Sequence, residues 1–346
     1  MCFFLNFNMS AQQITIENNK LIRNGQPFFM IGANTPWDNW NDFGGKYNPD
    51  FWEKEFARMH AIGINSSRIW ISCDGAGQPS FDTLGNILPP TQAFWNNMDD
   101  MMAKAQKHQI YIIATIMSFD HFDQSKPNHD KWRAMIGCTQ KINMYIDLFL
   151  VPLVNRYKSN PYLFSIDICN EPDWIIENKK CGQFPWDYMQ MFGGMCAAAI
   201  HKTDSKVLVS VGSAFVKYNS SKYQGNKWSD KNLQEITGDS LAYMDFWQIH
   251  YYDWVKDNFN SPFIESPTFF DLTDKPCIIG EAPGKNTKYG FPITYLEIYE
   301  KPYQLGYSGV YPWTSNNAGS GDFGSLDTFG EGAKQFSIKY PQFILK

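Results

Sequence analysis

The sequence predicts a single α/β domain built as a (β/α)8 TIM barrel with a short β-hairpin in front of it. Three observations lead there. Eight short apolar runs recur along the chain with helical patterns between them, and each is apolar on both faces, as strands of a parallel sheet covered by helices are. Eight such units in roughly 300 residues match the span of that fold. The competing doubly wound sheet would place a Gly-x-Gly-x-x-Gly turn after its first strand, and none stands there. No linker, low-complexity stretch or repeat divides residues 13–346. Residues 1–12 are set apart as an N-terminal extension, disordered or the remnant of a signal.

The elements follow in order. Ile14-Thr15-Ile16 alternates, Asn18-Asn19 turns and Leu21-Ile22 returns, ahead of an Asn24-Gly25 turn, which makes the hairpin. Phe28 to Gly32 is the first barrel strand. Asn48 caps the first helix and Pro49 starts it. Trp52, Phe56, Met59 and Ile62 share one face of that helix, and Gly63 ends it. Ile64 to Ile71 is the second strand, and Phe94, Met98, Met101 and Ala105 mark the second helix. Ile110 to Met117 is the third strand. The third helix carries Ile142, Tyr145, Ile146, Phe149 and Leu153; Asn143, Asp147 and Pro152 interrupt it, so it reads as a buried helix. Leu163 to Ile168 is the fourth strand and Trp186 to His201 the helix after it. Val207 to Val211, Phe246 to Ile249, Cys277 to Ile279 and Gly309 to Pro312 complete the eight. Helices at Asn232 to Ile236, Pro292 to Tyr303 and Gly332 to Tyr340 lie between and after them.

Composition narrows the function. Aromatic residues are 16% of the chain and charged residues 19%, against about 25% charged in an average soluble domain. That excludes a disordered chain. The net charge is −5 and no Lys/Arg run appears, so a nucleic-acid partner has no electrostatic support. No apolar stretch reaches the roughly 18 residues of a membrane span. The seven Cys include no Cys-x-x-Cys pair, which argues against zinc or thioredoxin-like chemistry; Cys169 and Cys277 read as small hydrophobes. His121, Asp123, His129 and Asp130 fit no strong metal motif. No cofactor and no metal are expected. The first ten residues lack the basic start of a signal peptide, so a signal is absent or truncated, or translation starts at Met9.

In such a barrel the site is built at the C-terminal ends of the strands. Those ends carry Asn34 and Trp37, Arg68 and Trp70, Ser118 through His121, Asn170-Glu171-Pro172, His250-Tyr251-Tyr252, Glu281 and Trp313. Glu171 and Glu281 would face each other across the mouth. Two opposed carboxylates, one protonated and one ionised, are what retaining glycoside hydrolysis needs. Tyr251 points away from Tyr252 by strand alternation and is assigned to packing. Trp52, Trp95, Trp132 and Trp186 are assigned to the core. Trp40, Trp254, Asp74 and Asn316 are further candidates beside the site.

The run Ile168-Cys169-Asn170-Glu171-Pro172 resembles the Asn-Glu-Pro motif of the large retaining glycosidase clan. With Arg68, His121, His250-x-Tyr252, Glu281 and Trp313 in the expected order, the chain resembles glycoside hydrolase family 5. The resemblance covers nearly the whole chain. It implies Glu171 as acid/base, Glu281 as nucleophile and Asn170 on the sugar 2-hydroxyl. It further implies Tyr252 donating to Glu281 and Arg68 beneath the nucleophile. His250 and His121 would hydrogen-bond the acid/base or the sugar, and Trp313 would form the floor. Asn34, Trp37 and Trp70 complete the expected substrate-binding or supporting set. The family pattern is left after Glu281, where Ala282-Pro283-Gly284 stands in place of an aromatic residue and a glycine.

The run Gly32 to Trp37, together with Trp70, is similar to the mannanase-like branch. This implies an endo-β-1,4-mannanase acting on β-mannan. An endo-β-1,4-glucanase acting on β-glucan and an exo-acting mannan hydrolase are the alternatives within the family. A non-catalytic glycan-binding barrel is the alternative of another class, and the intact Glu171 and Glu281 argue against it. A secreted monomer is expected.

Overall fold

A computed structural model of the chain describes residues 13–318 and 323–345. The expected N-terminal extension lies outside the described residues. The structure begins with a small antiparallel sheet of β1 (Thr15–Glu17), β2 (Lys20–Arg23) and β3 (Gln26–Pro27). The expected hairpin thus gains a third strand. The Asn24-Gly25 turn, with both residues at positive φ, folds Gln26 and Pro27 back onto β2.

Eight parallel strands then close into a barrel in sequence order. They are β4 (Met30–Asn34), β5 (Ser66–Trp70), β6 (Tyr111–Thr115), β7 (Leu163–Asn170), β8 (Leu208–Ser213), β9 (Trp247–His250), β10 (Cys277–Pro283) and β11 (Gly309–Trp313), and β11 pairs with β4. Nearly every strand residue is buried, because helices cover one face and the barrel interior takes the other.

The helices are α1 (Pro49–Ala61), α2 (Gln92–Lys107), α3 (His129–Ile136), α4 (Thr139–Tyr145), α5 (Val151–Tyr157), α6 (Asp173–Glu177), α7 (Trp186–Thr203), α8 (Asp230–Thr237), α9 (Tyr295–Leu305) and α10 (Leu326–Lys339). Asn48 caps α1 through its side chain, with Pro49 in the first turn, as its sequence predicts. The expected third helix is three pieces. A π turn, Ile146–Leu150, joins α4 to α5. The break has a cause in Pro152, which has no N–H to give and sits just inside α5. Helix α3 and the short α6 were not expected. Both follow loop-like polar stretches, and α6 starts directly from the strand end that carries Glu171.

Candidate active site

The C-terminal ends of the strands gather the candidate residues from across the chain. Glu281 sits inside β10 at an irregularity: the register against β9 shifts between Ile279 and Glu281, placing Glu281 opposite His250. Glu171 follows β7 with φ at +50°, and its N–H donates to the Gly212 carbonyl at 2.7 Å. A non-glycine residue rarely adopts that conformation. The adjoining Gly212 cannot be larger, since a Cβ there would stand 2.4 Å from Gln248 and 2.9 Å from His250. One carboxylate oxygen each from Glu171 and Glu281 and one ring nitrogen of His250 lie within 4.8 Å of one another.

Glu281 is held by permanent donors. Arg68 Nη1 donates to its Oε1 at 2.8 Å and the Tyr252 hydroxyl to its Oε2 at 2.8 Å. Arg68 is fully buried and spans the barrel. Its Nε reaches Asp167 Oδ2 at 2.9 Å, Nη2 reaches Asn170 Oδ1 at 2.8 Å, and Nη1 also reaches Asn34 Oδ1 at 3.2 Å. Burial opposes the guanidinium charge, but Asp167 and Glu281 more than offset it and raise its pKa. Burial also pushes the Tyr252 hydroxyl well up, helped by Glu281 itself, so it remains a donor.

Glu171 has weaker company. His250 Nδ1 lies 3.0 Å from its Oε1, and the Trp174 indole N–H donates to its Oε2 at 3.0 Å. Burial raises its pKa to about 7, opposed first by the Trp174 hydrogen bond and then by Arg68. Burial raises Glu281 too, and a charged Glu171 adds to it, while Arg68 and the Tyr252 hydrogen bond pull the other way. The guanidinium and hydroxyl donors on Glu281 favour its carboxylate, and so favour the proton on Glu171. His250 is pushed down to about 4, chiefly by burial, so at neutral pH its ring carries no charge.

The other expected residues divide. Asn170, adjacent to Glu171, gives its Oδ1 to Arg68 and turns its Nδ2 toward Ser118 Oγ at 3.5 Å. Asn34 is completely used inside the barrel: its Nδ2 donates to the carbonyls of Gly280 and Tyr311 at 3.0 and 2.8 Å. His121 is fully buried, with Nε2 at 2.9 Å from Ser72 Oγ and Nδ1 accepting from the Ser118 N–H at 3.2 Å. It joins the end of β5 to the loop after β6, and both ring nitrogens are engaged there and not at Glu171.

Trp37 meets Trp70 and Trp313 edge to face at 5.1 and 5.9 Å between ring centroids, Trp70 and Trp313 lie tilted at 5.7 Å, and Trp40 packs on Trp37 at 4.5 Å. Asp74 accepts from the Trp40 indole at 2.7 Å, and Asn316 Nδ2 donates to the Trp37 carbonyl at 2.7 Å. These two therefore brace the tryptophans. Trp254 stands on the opposite rim, 48% exposed, beside Trp174 and Phe215.

Three residues escape a reading of strand ends. Asp167 and Gln248 lie within strands, deep under the mouth; Asp167 Oδ2 also accepts from Thr115 and Gln248 at 3.0 and 3.1 Å. An ionisable residue in an otherwise apolar run signals a buried partner, here Arg68. Trp174 is three residues beyond Glu171, the spacing that puts two side chains on one helical face.

Glu171, His250 and Glu281 could together span a cation, the one such group among the described residues. Glu281 Oε1 already holds the Arg68 guanidinium, however, and a second positive charge would meet it at contact distance. The described Cys73, Cys138, Cys169, Cys181, Cys196 and Cys277 are all free thiols.

No family model matches the chain. Among curated proteins it is similar to the mannan endo-1,4-beta-mannosidase of Mytilus edulis, 29% identical over 328 residues that cover 87% of this chain and 88% of that protein. It is 26% identical to the mannan endo-1,4-beta-mannosidase of Cryptopygus antarcticus, covering 90% and 86%. Among solved structures, the endo-1,4-beta-mannanase of Eisenia fetida superposes with a TM-score of 0.83 at 26% identity, covering 93% of this chain and 94% of that one. The beta-mannanase of Mytilus edulis superposes equally, with a TM-score of 0.83 at 26% identity and coverages of 95% and 97%.

Proposed function

We propose that the chain is a retaining endo-β-1,4-mannanase that cleaves β-1,4-mannosidic bonds in mannan-type polysaccharides. The observation that carries the chemistry is the pair Glu171 and Glu281, with carboxylate oxygens within 4.8 Å across the mouth. Retention calls for carboxyl groups about 5–5.5 Å apart, whereas inversion leaves roughly 6.5–9.5 Å for a water between them. The substrate comes from the named relatives.

Glu281 Oε attacks the anomeric carbon as the glycosidic C–O bond breaks. Glu171 gives its proton to the departing oxygen, so that the leaving sugar departs as an alcohol. Glu281 is then bonded to the sugar and Glu171 is a carboxylate. Water attacks the same carbon, Glu171 takes its proton, and the bond to Glu281 breaks. The start is restored and the configuration retained. Arg68 and Tyr252 suit Glu281 to both its charged states. They stabilise the carboxylate before attack and need not move when it becomes an ester. The tryptophans at the β4, β5 and β11 ends offer flat apolar faces to the C–H faces of sugar rings. A neutral polymer requires no charged funnel, in keeping with the low charge of the chain. The proposal extends to a secreted monomer, since a large polysaccharide is met outside the cell and one chain supplies both carboxylates.

Purified protein incubated with mannan, carboxymethylcellulose and xylan tests the reading. Hydrolysis of mannan to mixed oligosaccharides, with the β-anomer appearing first by proton NMR, is expected. Preference for carboxymethylcellulose would replace mannan by glucan, release of a single small product would replace endo by exo, and an initial α-anomer would overturn retention.

A further inference from the structure

The acid/base carboxyl is bracketed by one ring nitrogen and one indole. We infer that Trp174 is a positioning residue for Glu171, and that through its ring it ties the leaving-group side of the cleft to proton delivery; this rests on the assignment of Glu171 as acid/base.

Trp174 lies on α6, which leaves β7 directly after Glu171, and its own backbone N–H donates to the Glu171 carbonyl at 3.1 Å. Indole and carboxyl are therefore fixed to one short turn. The indole N–H holds Oε2 at 3.0 Å. An indole can only donate, so this contact favours the carboxylate over the acid and fixes the carboxyl plane. Beyond the hydrogen bond, the ring packs edge to face on Phe215 at 4.9 Å and lies 5.9 Å from Trp254 at an interplanar angle of 36°. Trp254 is the exposed aromatic on this rim. A sugar leaning on Trp254 presses on the side chain that orients the acid.

Several charged or titratable groups surround Glu171. His250 and Tyr252 face it from the β9 end, Glu281 from β10, Arg68 from β5 and Asp120 from the loop after β6. Asp173 and Cys169 flank it on its own stretch of chain. None is altered by replacing Trp174 with phenylalanine, which keeps a ring and removes the N–H.

The test compares wild type with Trp174→Phe and Trp174→Gln on mannohexaose and on a dinitrophenyl β-mannobioside, whose leaving group needs no proton. In the Phe variant kcat on mannohexaose should fall about tenfold, a fraction of the 10²–10⁴ of general acid catalysis, with KM within about twofold. The alkaline limb of its pH profile should move to higher pH, because a donor to the carboxylate has gone. On the dinitrophenyl glycoside kcat/KM, which reports the first step alone, should fall far less than kcat/KM on mannohexaose, and that activity also reports that the site is folded. The Gln variant, which restores an N–H donor, should bring the limb back toward wild type. Superimposable limbs in all three proteins, or equal losses on both substrates, would overturn the role of Trp174. A wild type inactive on both substrates would instead overturn the glycosidase reading itself.

Discussion

The two halves of the barrel mouth are built in opposite ways. Around Glu281, on the β10, β11, β4 and β5 side, a cation and fixed donors hold the carboxylate. Arg68 alone joins Asn34, Asp167, Asn170 and Glu281, and Asp74 and Asn316 brace Trp40 and Trp37. Glu171, on the β7 to β9 side, is held by no cation: its hydrogen-bonding partners are the Trp174 indole and an uncharged His250, with Phe215 and Trp254 packed on Trp174. In the proposed mechanism Glu281 must change its charge without moving, and it is held by fixed donors. Glu171 must in that mechanism pick up and release a proton in every cycle, and its pKa is raised to about 7, mainly by burial.

The largest expected effect breaks both halves. Glu281→Gln should lower kcat on mannan by at least about a thousandfold, since no covalent intermediate can form. Glu171→Gln should lower it by roughly 10²–10⁴, with a much smaller loss of kcat/KM on a dinitrophenyl glycoside, whose first step needs no proton. Equal losses on both substrates would contradict the division of labour. Next comes Arg68→Met, which leaves Asp167 and Glu281 buried without their cation. Removing one partner of a buried pair costs about 3–5 kcal/mol, readable as a lower midpoint in urea denaturation.

Smaller effects separate the two rims. Trp313→Ala should raise KM for mannohexaose more than Trp254→Ala does. An aromatic contact of about 0.5–1.5 kcal/mol corresponds to about a threefold to tenfold change for the exposed Trp254. A reversal of that order would exchange the rigid and the loose rim.

A last effect concerns stability against pH. Asp173 is buried beside Glu171, and its pKa is raised from 3.8 to about 8, mainly by burial. A group raised on folding contributes stability below its unfolded value and loses that contribution as pH rises through the folded one. The window is therefore about pH 4 to 8. Asp173→Asn should melt like wild type near pH 4 and higher than wild type at pH 8.5. Parallel melting curves against pH would refute the burial argument.

The Glu281 half was readable in the sequence and the Glu171 half only partly. Tyr252 and Glu281 each follow an apolar run and Arg68 lies within the second strand, where a polar residue needs a reason, and the barrel's rule on strand ends supplies one. Trp174 was hidden because its role depends on α6, a helix of five residues that hydrophobic periodicity cannot detect. His121 looked like its neighbours in sequence, but the 3-10 turn Phe119–Phe122 capped by Ser118 sets its contacts, and a turn of four residues leaves no periodic trace. Pro152 predicted a disturbance of the third helix without saying that a π turn would absorb it.

Arg68 has one more consequence, and it concerns synthesis. Its partners lie on β4, β7 and β10, while Asn34 is anchored to the carbonyl of Tyr311 on the last strand and the Ser66 hydroxyl lies 2.7 Å from that of Tyr311. Glu281 and Trp313 are on the two strands that leave the ribosome last. A nascent chain that has made only β4 to β9 carries Glu171 and the Arg68–Asp167 pair, but neither Glu281 nor a closed sheet. Catalytic competence therefore arrives together with ring closure, and a fragment ending before β10 is inert by construction.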